Sequence, residues 1–524
     1  MSDSHNVVIV GAGPVGLMLA CELALAGVSP LVVERLTDPV TIPKANGMVG
    51  QVLSLLDHRG LYTRLGGPGA APQPFPEFFF GAIALPLSKL EKNPLLGMAV
   101  PQPEIERILA ERATELGVTI ERGTELVSFD QDADGVKLRL KTGSKTRELL
   151  TSYVAACDGG HSPIRKQLGI AFPGISTENI VSRGAMMSTR SWAQVMECAR
   201  RVLALPAESK MVYRRTERGC FATASVGSDR PMVNTLEWEE HPKDTYGEWP
   251  GAGVQMTLNE MRASLGRVLG TEVPELEPPP PGPALLRRLI GRNTRLADRY
   301  RTGRIFLAGD AAHVHAATGG PGLNLGLQDA ANLGWKLAAA VRGWAPSGLL
   351  DSYERERRGA GSRVFMQTQA QSVLMAPGGD VTALRQLFEE LLQRRETLQQ
   401  IADLMAGSDV RYSSGNAPTH HWAGHFAPDI VLETASGTRR LAEMMRQARP
   451  LLIDGSHDSS LREIARAWND RVDTMAWKAT DTPMRAFLVR PDGYVAWASA
   501  RSDDGNAAAL SLQQALSTWF GPAG

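Results

Sequence analysis

Val7-Val8-Ile9-Val10-Gly11-Ala12-Gly13-Pro14-Val15-Gly16, followed after a helix length by Pro30-Leu31-Val32-Val33-Glu34, is the stretch that decides the fold. Four β-branched apolar residues read as a short buried strand, and the alanine- and leucine-rich run from about Val15 to Ala26, closed by Gly27, reads as a helix. A second strand ends at Glu34, so the unit is β-α-β with parallel strands, the start of a Rossmann-like sheet. Gly11, Gly13 and Gly16 sit where a side chain would obstruct the turn, a nearby pyrophosphate or the packing of helix on strand. Pro14 and Val15 open a helix whose unpaired N–H groups favour phosphate. A glycine pattern of this kind also serves plain packing. Glu34, eighteen residues after Gly16, adds an acceptor for an adenosine ribose, and the free 2′-hydroxyl it suits is present in FAD and NAD and absent from NADP. Arg35, beside it, reads as a solvated side chain or a contact at the cofactor's edge.

A second motif separates FAD from NAD. The segment from Gly303 to His313 runs from the buried strand pattern Ile305-Phe306-Leu307-Ala308 into the turn Gly309-Asp310, and Asp310 is placed to accept hydrogen bonds from a ribityl chain, which only FAD has. A long helical pattern then follows Gly322 through about Val341, so the chain returns to its first domain.

The 524 residues exceed what one hydrophobic core organises, which predicts two or three domains. Apolar residues at 43% and charged residues at 21% are ordinary for a globular chain. Lys plus Arg equals Asp plus Glu at 56 each, so no global field selects nucleic acid or an acidic membrane as partner. Four cysteines without a CxxC or regular spacing indicate neither a disulfide framework nor a cysteine zinc site, and fit a reducing cytoplasm. The apolar start lacks a basic leader and is broken by glycines, so it reads as mature structure, and no run is long enough to span a membrane.

The expected division is an FAD-binding domain from 1–168 with 285–375, a sheet-rich substrate domain over 169–284, a helical connector over 376–416 and a small α/β domain over 417–524. The proline run 278–281 marks the end of the second part.

The N-terminal glycine motif, the segment from Cys157-Asp158-Gly159-Gly160 to Arg165, and Gly309-Asp310 resemble, in that order, the three signatures of the class A flavoprotein monooxygenases, the para-hydroxybenzoate hydroxylase fold. The stretch Gly319 to Lys336 is especially similar, and the resemblance covers about residues 5 to 375. The segment from His421 to Asp429, with Leu488 to Trp497, resembles the thioredoxin-like appendage of phenol hydroxylase and of aromatic-polyketide hydroxylases. The resemblance implies that Lys44 and Gln102 touch the cofactor, that Asp158 serves both FAD and pyridine nucleotide, and that Pro321 and Gly322 position the flavin. It also implies that the N–H groups of Leu323 and Asn324 face flavin N1 and its C2 carbonyl. The resemblance further implies that no side chain is required as catalyst: NAD(P)H would reduce the flavin, and oxygen added at C4a would give a hydroperoxide that hydroxylates a phenolic or polycyclic aromatic. A homodimer is compatible with this reading.

Members of the family commonly have arginine where Lys44 and Gln51 stand, and prolines where Ala316-Ala317 stand. His313 and His315 lack a third ligand at a sensible spacing and read as structural, while Trp335 and Trp344 fall in a helical pattern that suits core packing. Two neighbouring readings remain: a Baeyer–Villiger or antibiotic-inactivating oxygenase with the same chemistry, and a flavoprotein that binds an aromatic ligand without turnover. A flavin halogenase shares the fold, but the absence of its Trp-x-Trp-x-Ile signature argues against that reading.

Overall fold

A computed structural model of the chain describes residues 5–41, 45–207, 209, 211–224, 230–239, 255–282, 284–316, 320–413, 420–434, 437–456, 459–477 and 484–524. Strand Val7–Val10 lies inside a six-stranded sheet between Leu31–Glu34 and Tyr153–Ala156, with Thr119–Arg122 outside the former and Ile305–Leu307 outside the latter. These five strands run parallel, and Arg301–Thr302 closes the edge antiparallel. Val7, Val8 and Ile9 are wholly buried, as both faces of a parallel sheet must be covered. Helices Pro14–Leu25 and Pro321–Val341 lie against each other beside the sheet. A three-stranded meander, Thr124–Gln131, Val136–Thr142 and Lys145–Thr151, follows the edge strand.

The second large sheet has the order Met211–Thr216, Gly219–Ala224, Met232–Trp238, Gly174–Met186, Leu286–Leu296, His313–Val314. Helices Thr189–Leu203 and Leu258–Leu269 cover one of its faces, packing on Val212, Phe221 and Val233. Here the expected boundary at residue 284 is corrected. Leu286–Leu296 does not return to the first sheet; it pairs antiparallel along Gly174–Met186. The proline run marks only the loop before that strand, and four arginines within the strand disguise it as a surface segment. The chain rejoins the first sheet at Arg301.

Helices Leu349–Met375, Gly379–Leu391 and Arg395–Ala406 lead to the C-terminal unit. Its sheet has the order Asp473–Ala476, Leu451–Asp454, Met484–Val489, Val495–Ala500, the first two parallel and the rest antiparallel. With helices Ser460–Ala465 and Gly505–Phe520 this is a thioredoxin-like arrangement. Its apolar face shares one core with the first domain: Trp335, Ala339 and Leu349 pack with Trp468, Trp497, Trp519 and Phe520. Trp335 is thus a core residue, as its helical position suggests. No helix among the described residues is long and apolar enough to cross a membrane.

Candidate active site

A cleft opens at the carboxyl ends of the parallel strands, the place where this class of sheet accepts ligands. Its floor is the first strand–helix turn. Gly11 donates its N–H to the Val33 carbonyl (2.8 Å) at φ +110°, and a Cβ there would lie 2.4 Å from the Cys157 carbonyl oxygen, so the crossing of three strand ends requires glycine. At Gly13 the situation is reversed: a Cβ would meet nothing within 4 Å, because that position faces the open cleft beside Pro14 and Val15. Gly16 stands behind the cleft, where a Cβ would lie 2.0 Å from the Gly11 carbonyl oxygen; its role is packing.

Glu34 lines one end. Its carboxylate accepts from the N–H groups of Ala12 (2.8 Å) and Leu36 (2.9 Å), which fixes its direction and leaves lone pairs for a ligand. Arg35 is exposed at the rim. Gln102 begins the helix Gln102–Glu115 and donates to Glu106 (2.7 Å), and both line the cleft. Lys44 falls outside the described residues. Arg122, opposite Glu34 in strand register, also lines the cleft. Sequence reasoning missed it because it belongs to no local motif; only the neighbouring strand brings it there.

Asp158 lines the middle. Burial raises its carboxyl above the usual range, and one carboxylate oxygen, Oδ1, is buried without a hydrogen-bond partner. The protein therefore presents an acceptor to a donor it does not itself supply. At the far end Asp310, in the turn Gly309–Ala311, lies beside Pro321, Gly322 and Leu323 at the start of the helix Pro321–Val341. Gly309 and Asn324 are buried behind this end, and the Asn324 carboxamide oxygen accepts from the Val49 N–H (3.4 Å). Asp329 braces the turn by accepting from the Gly309 N–H, His313 and Arg357. His315 lines the cleft too; burial pushes its imidazole down to about 3, and neither ring nitrogen has a partner.

The cleft therefore offers an open turn and a helix N-terminus for phosphates, flanked by acceptors for sugar hydroxyls at Glu34, Asp158 and Asp310. A second helix N-terminus stands at the far end. That donor set fits a dinucleotide with a ribityl arm. Among the described residues no cluster of His, Cys, Asp or Glu could hold a metal. Burial raises Cys21 and Cys220 to about 12, so neither offers a thiolate. Gln51, where an arginine is common in the family, is buried and accepts from the Tyr494 hydroxyl of the C-terminal unit (3.0 Å).

Residues 4–368 match the FAD binding domain family, and residues 420–523 match the aromatic-ring hydroxylase C-terminal family. The chain is 38% identical to the 12-dehydrotetracycline 5-monooxygenase/anhydrotetracycline 6-monooxygenase of Streptomyces rimosus over 99% of both chains. It is 36% identical to the rifampicin monooxygenase of Rhodococcus hoagii over 99% of this chain and 98% of that one. The solved structure of the anhydrotetracycline hydroxylase from Streptomyces rimosus superposes with a TM-score of 0.84 at 37% identity, covering 99% of this chain and 100% of that one.

Proposed function

The chain belongs to the FAD-dependent aromatic-ring hydroxylases, and on that footing we propose that it oxygenates a phenolic or polycyclic polyketide, with FAD lying along the cleft from Glu34 to Leu323. What carries this reading is the spacing of the carboxylates of Glu34, Asp158 and Asp310 along one cleft that ends at a helix N-terminus, with Oδ1 of Asp158 buried without a partner. Glu34 accepts from the adenosine ribose. The open turn at Gly13 and the N-terminus of Pro14–Leu25 hold the pyrophosphate, and Asp158 and Asp310 take hydroxyls of the ribityl arm. The N–H groups of Leu323 and Asn324 present the positive end of their helix to the flavin's pyrimidine edge, where negative charge appears on reduction.

Bound FAD, once reduced by NADPH or NADH, supplies the activation of molecular oxygen. The chain's own residues orient and exclude. His315, neutral over the working pH range, and Ala316 line the inner wall of the cleft without offering a charge or an acid. The four unpaired cysteines suit a reducing cytoplasm. The likeness to a rifampicin monooxygenase favours a second reading, in which the oxygenated aromatic is an antibiotic that is thereby inactivated.

The test is the absorption spectrum of the purified chain, followed by NADPH and NADH oxidation under air with anhydrotetracycline, rifampicin and simple phenols. Flavin bands at about 375 and 450 nm and a substrate-stimulated product carrying one oxygen from O₂ are expected. A chain that cannot be loaded with FAD sinks the reading, and flavin that NAD(P)H does not bleach with any ligand bound sinks its catalytic part.

A further inference from the structure

Two pieces of chain build the far end of the cleft, the turn Gly309–Ala311 and the start of the helix Pro321–Val341. Asp329, further along that helix and wholly buried, ties them together: its Oδ2 accepts from the Gly309 N–H (3.1 Å) and meets His313 Nε2 (2.6 Å). A carboxylate buried there also works against the site, because its negative charge stands behind a helix end whose positive pole faces the cleft. Arg357 of the helix Leu349–Met375 answers it. Its Nε donates to Asp329 Oδ1 (2.7 Å) and its Nη2 to the Leu325 carbonyl (3.0 Å), close to the helix start. One guanidinium thus fixes position and cancels charge.

What holds Arg357 comes from the other end of the chain. Its Nη1 donates to the Tyr412 hydroxyl (2.7 Å), and Tyr412 is stacked on Tyr494 of the C-terminal unit, ring centroids 4.0 Å apart. The Tyr412 N–H donates to the Gly424 carbonyl (2.8 Å), whose own N–H donates to the Val495 carbonyl (2.8 Å), so the backbone of Tyr412 is strapped to the same sheet. That strap is tight, since a Cβ on Gly424 would lie 2.1 Å from the Tyr412 carbonyl oxygen. A second arm leaves Tyr494 itself. Its hydroxyl donates to Gln51 (3.0 Å), and two residues earlier the Val49 N–H donates to the Asn324 carboxamide oxygen (3.4 Å). The two arms end on Asn324 and Leu325, neighbours beside the helix start. Asp329, Arg357, Tyr412 and Tyr494 are all buried, where each of these bonds is stronger than in water.

We propose that Arg357 and Tyr412 are positioning residues of the flavin site, through which the C-terminal unit fixes the helix start at Pro321 and keeps the charge of Asp329 neutralised. The inference rests on FAD lying in this cleft, as the hydroxylase reading above has it. It gives the C-terminal unit a part in the chemistry although none of its described residues lines the cleft. An uncompensated carboxylate behind the helix start opposes the negative charge that reduction brings to the flavin, so losing Arg357 makes the flavin harder to reduce.

The test uses the full chain and two readings: FAD affinity from reconstitution of the apoprotein, and the flavin midpoint potential from equilibration with a reference dye. Tyr412→Phe, which keeps the stack and removes only the hydroxyl, should weaken FAD binding ~5-fold and move the potential to more negative values. Arg357→Met should weaken binding at least ~10-fold and move the potential further in the same direction. Adding Asp329→Asn to it should return most of the potential without returning the affinity, and Arg357→Lys should keep the potential while losing part of the affinity. Trp468→Phe is the control for general loosening of the C-terminal unit: its indole N–H bonds the Gly521 carbonyl (2.8 Å), outside this set of contacts, so the variant should melt earlier with both readings unchanged. Should Arg357→Met not fold, Tyr412→Phe decides alone. A wild-type potential in Tyr412→Phe, or an equal shift in Trp468→Phe, overturns the inference while FAD binding and NAD(P)H oxidation still hold for the wild type. Failure of the wild type to take up FAD overturns the hydroxylase reading itself, and this inference with it.

Discussion

His58 shows how much a single side chain can commit to the folded state. It is fully buried, stacked on Phe426 (ring centroids 5.1 Å apart), and neither ring nitrogen has a hydrogen-bond partner. Burial, helped by Arg59 and Arg440, lowers its pKa from the ordinary 6.5 to about 3. The unfolded chain therefore takes up the proton first. Stability is complete above about pH 6.5 and drains as pH falls toward 3, and at pH 5 the cost from this one residue is about 2 kcal/mol. Urea unfolding at pH 7.5 and pH 5 should show that loss, and His58→Phe, which keeps the stack, should shrink the difference by about the same amount. An unchanged difference would mean the imidazole is solvated in the native state.

At the scale of elements, helix Pro14–Leu25 and helix Pro321–Val341 approach each other closely in the first domain. A Cβ at Gly326 would lie 2.6 Å from a Val15 methyl and 3.2 Å from the Gly309 Cα, and one at Gly334 would lie 2.5 Å from the Glu22 Cβ. The glycines let the two helices bring both N-termini to the same cleft. Gly326→Leu should cost about 1–3 kcal/mol by overpacking and should weaken FAD retention, because Val15 and the Gly309-Asp310 turn must shift together. FAD affinity from reconstitution titrations checks this, and Val15→Ala combined with Gly326→Ala should bind FAD more tightly than Gly326→Ala alone. This contact is invisible in either helix's own sequence pattern, since it depends on which helix faces which.

At the scale of the whole molecule, the thioredoxin-like unit is bound to the first domain by buried charge as well as by shared core. Arg490, 1% exposed, donates to both oxygens of Glu356 (2.8 Å each) and lies over the Trp519 ring at 4.4 Å. Lys336 reaches the same Glu356 at 2.7 Å, and Asn332 bridges Glu356 to Asp492. Burial lowers Lys336 to about 8, while its carboxylate partner is held well below its usual range by the two cations. Removing one member strands the others: Arg490→Met should cost about 3–5 kcal/mol, more than a surface ion pair would. Calorimetry is expected to show the two units of the wild type unfolding together and the variant doing so at lower temperature. Separate transitions in the wild type would show that the network does not couple them.

The β-α-β start, the glycine and Gly-Asp turns and the acidic residue at Glu34 were legible in the sequence because each is a local demand: a turn too tight for a side chain, a strand buried on both faces, an acceptor at a fixed offset from a helix start. The family resemblance extended that reading to Asp158 and to the helix at Pro321. Strand Leu286–Leu296 was not legible, because its alternation is written in arginines whose partners, Glu260 for one, lie on another element. Nor were Arg122 beside Glu34 or the Tyr494 contact at Gln51. Short-range sterics and periodicity determine elements and turns from sequence alone, whereas which side chains meet across a cleft is decided only when sheet order and register bring distant segments together.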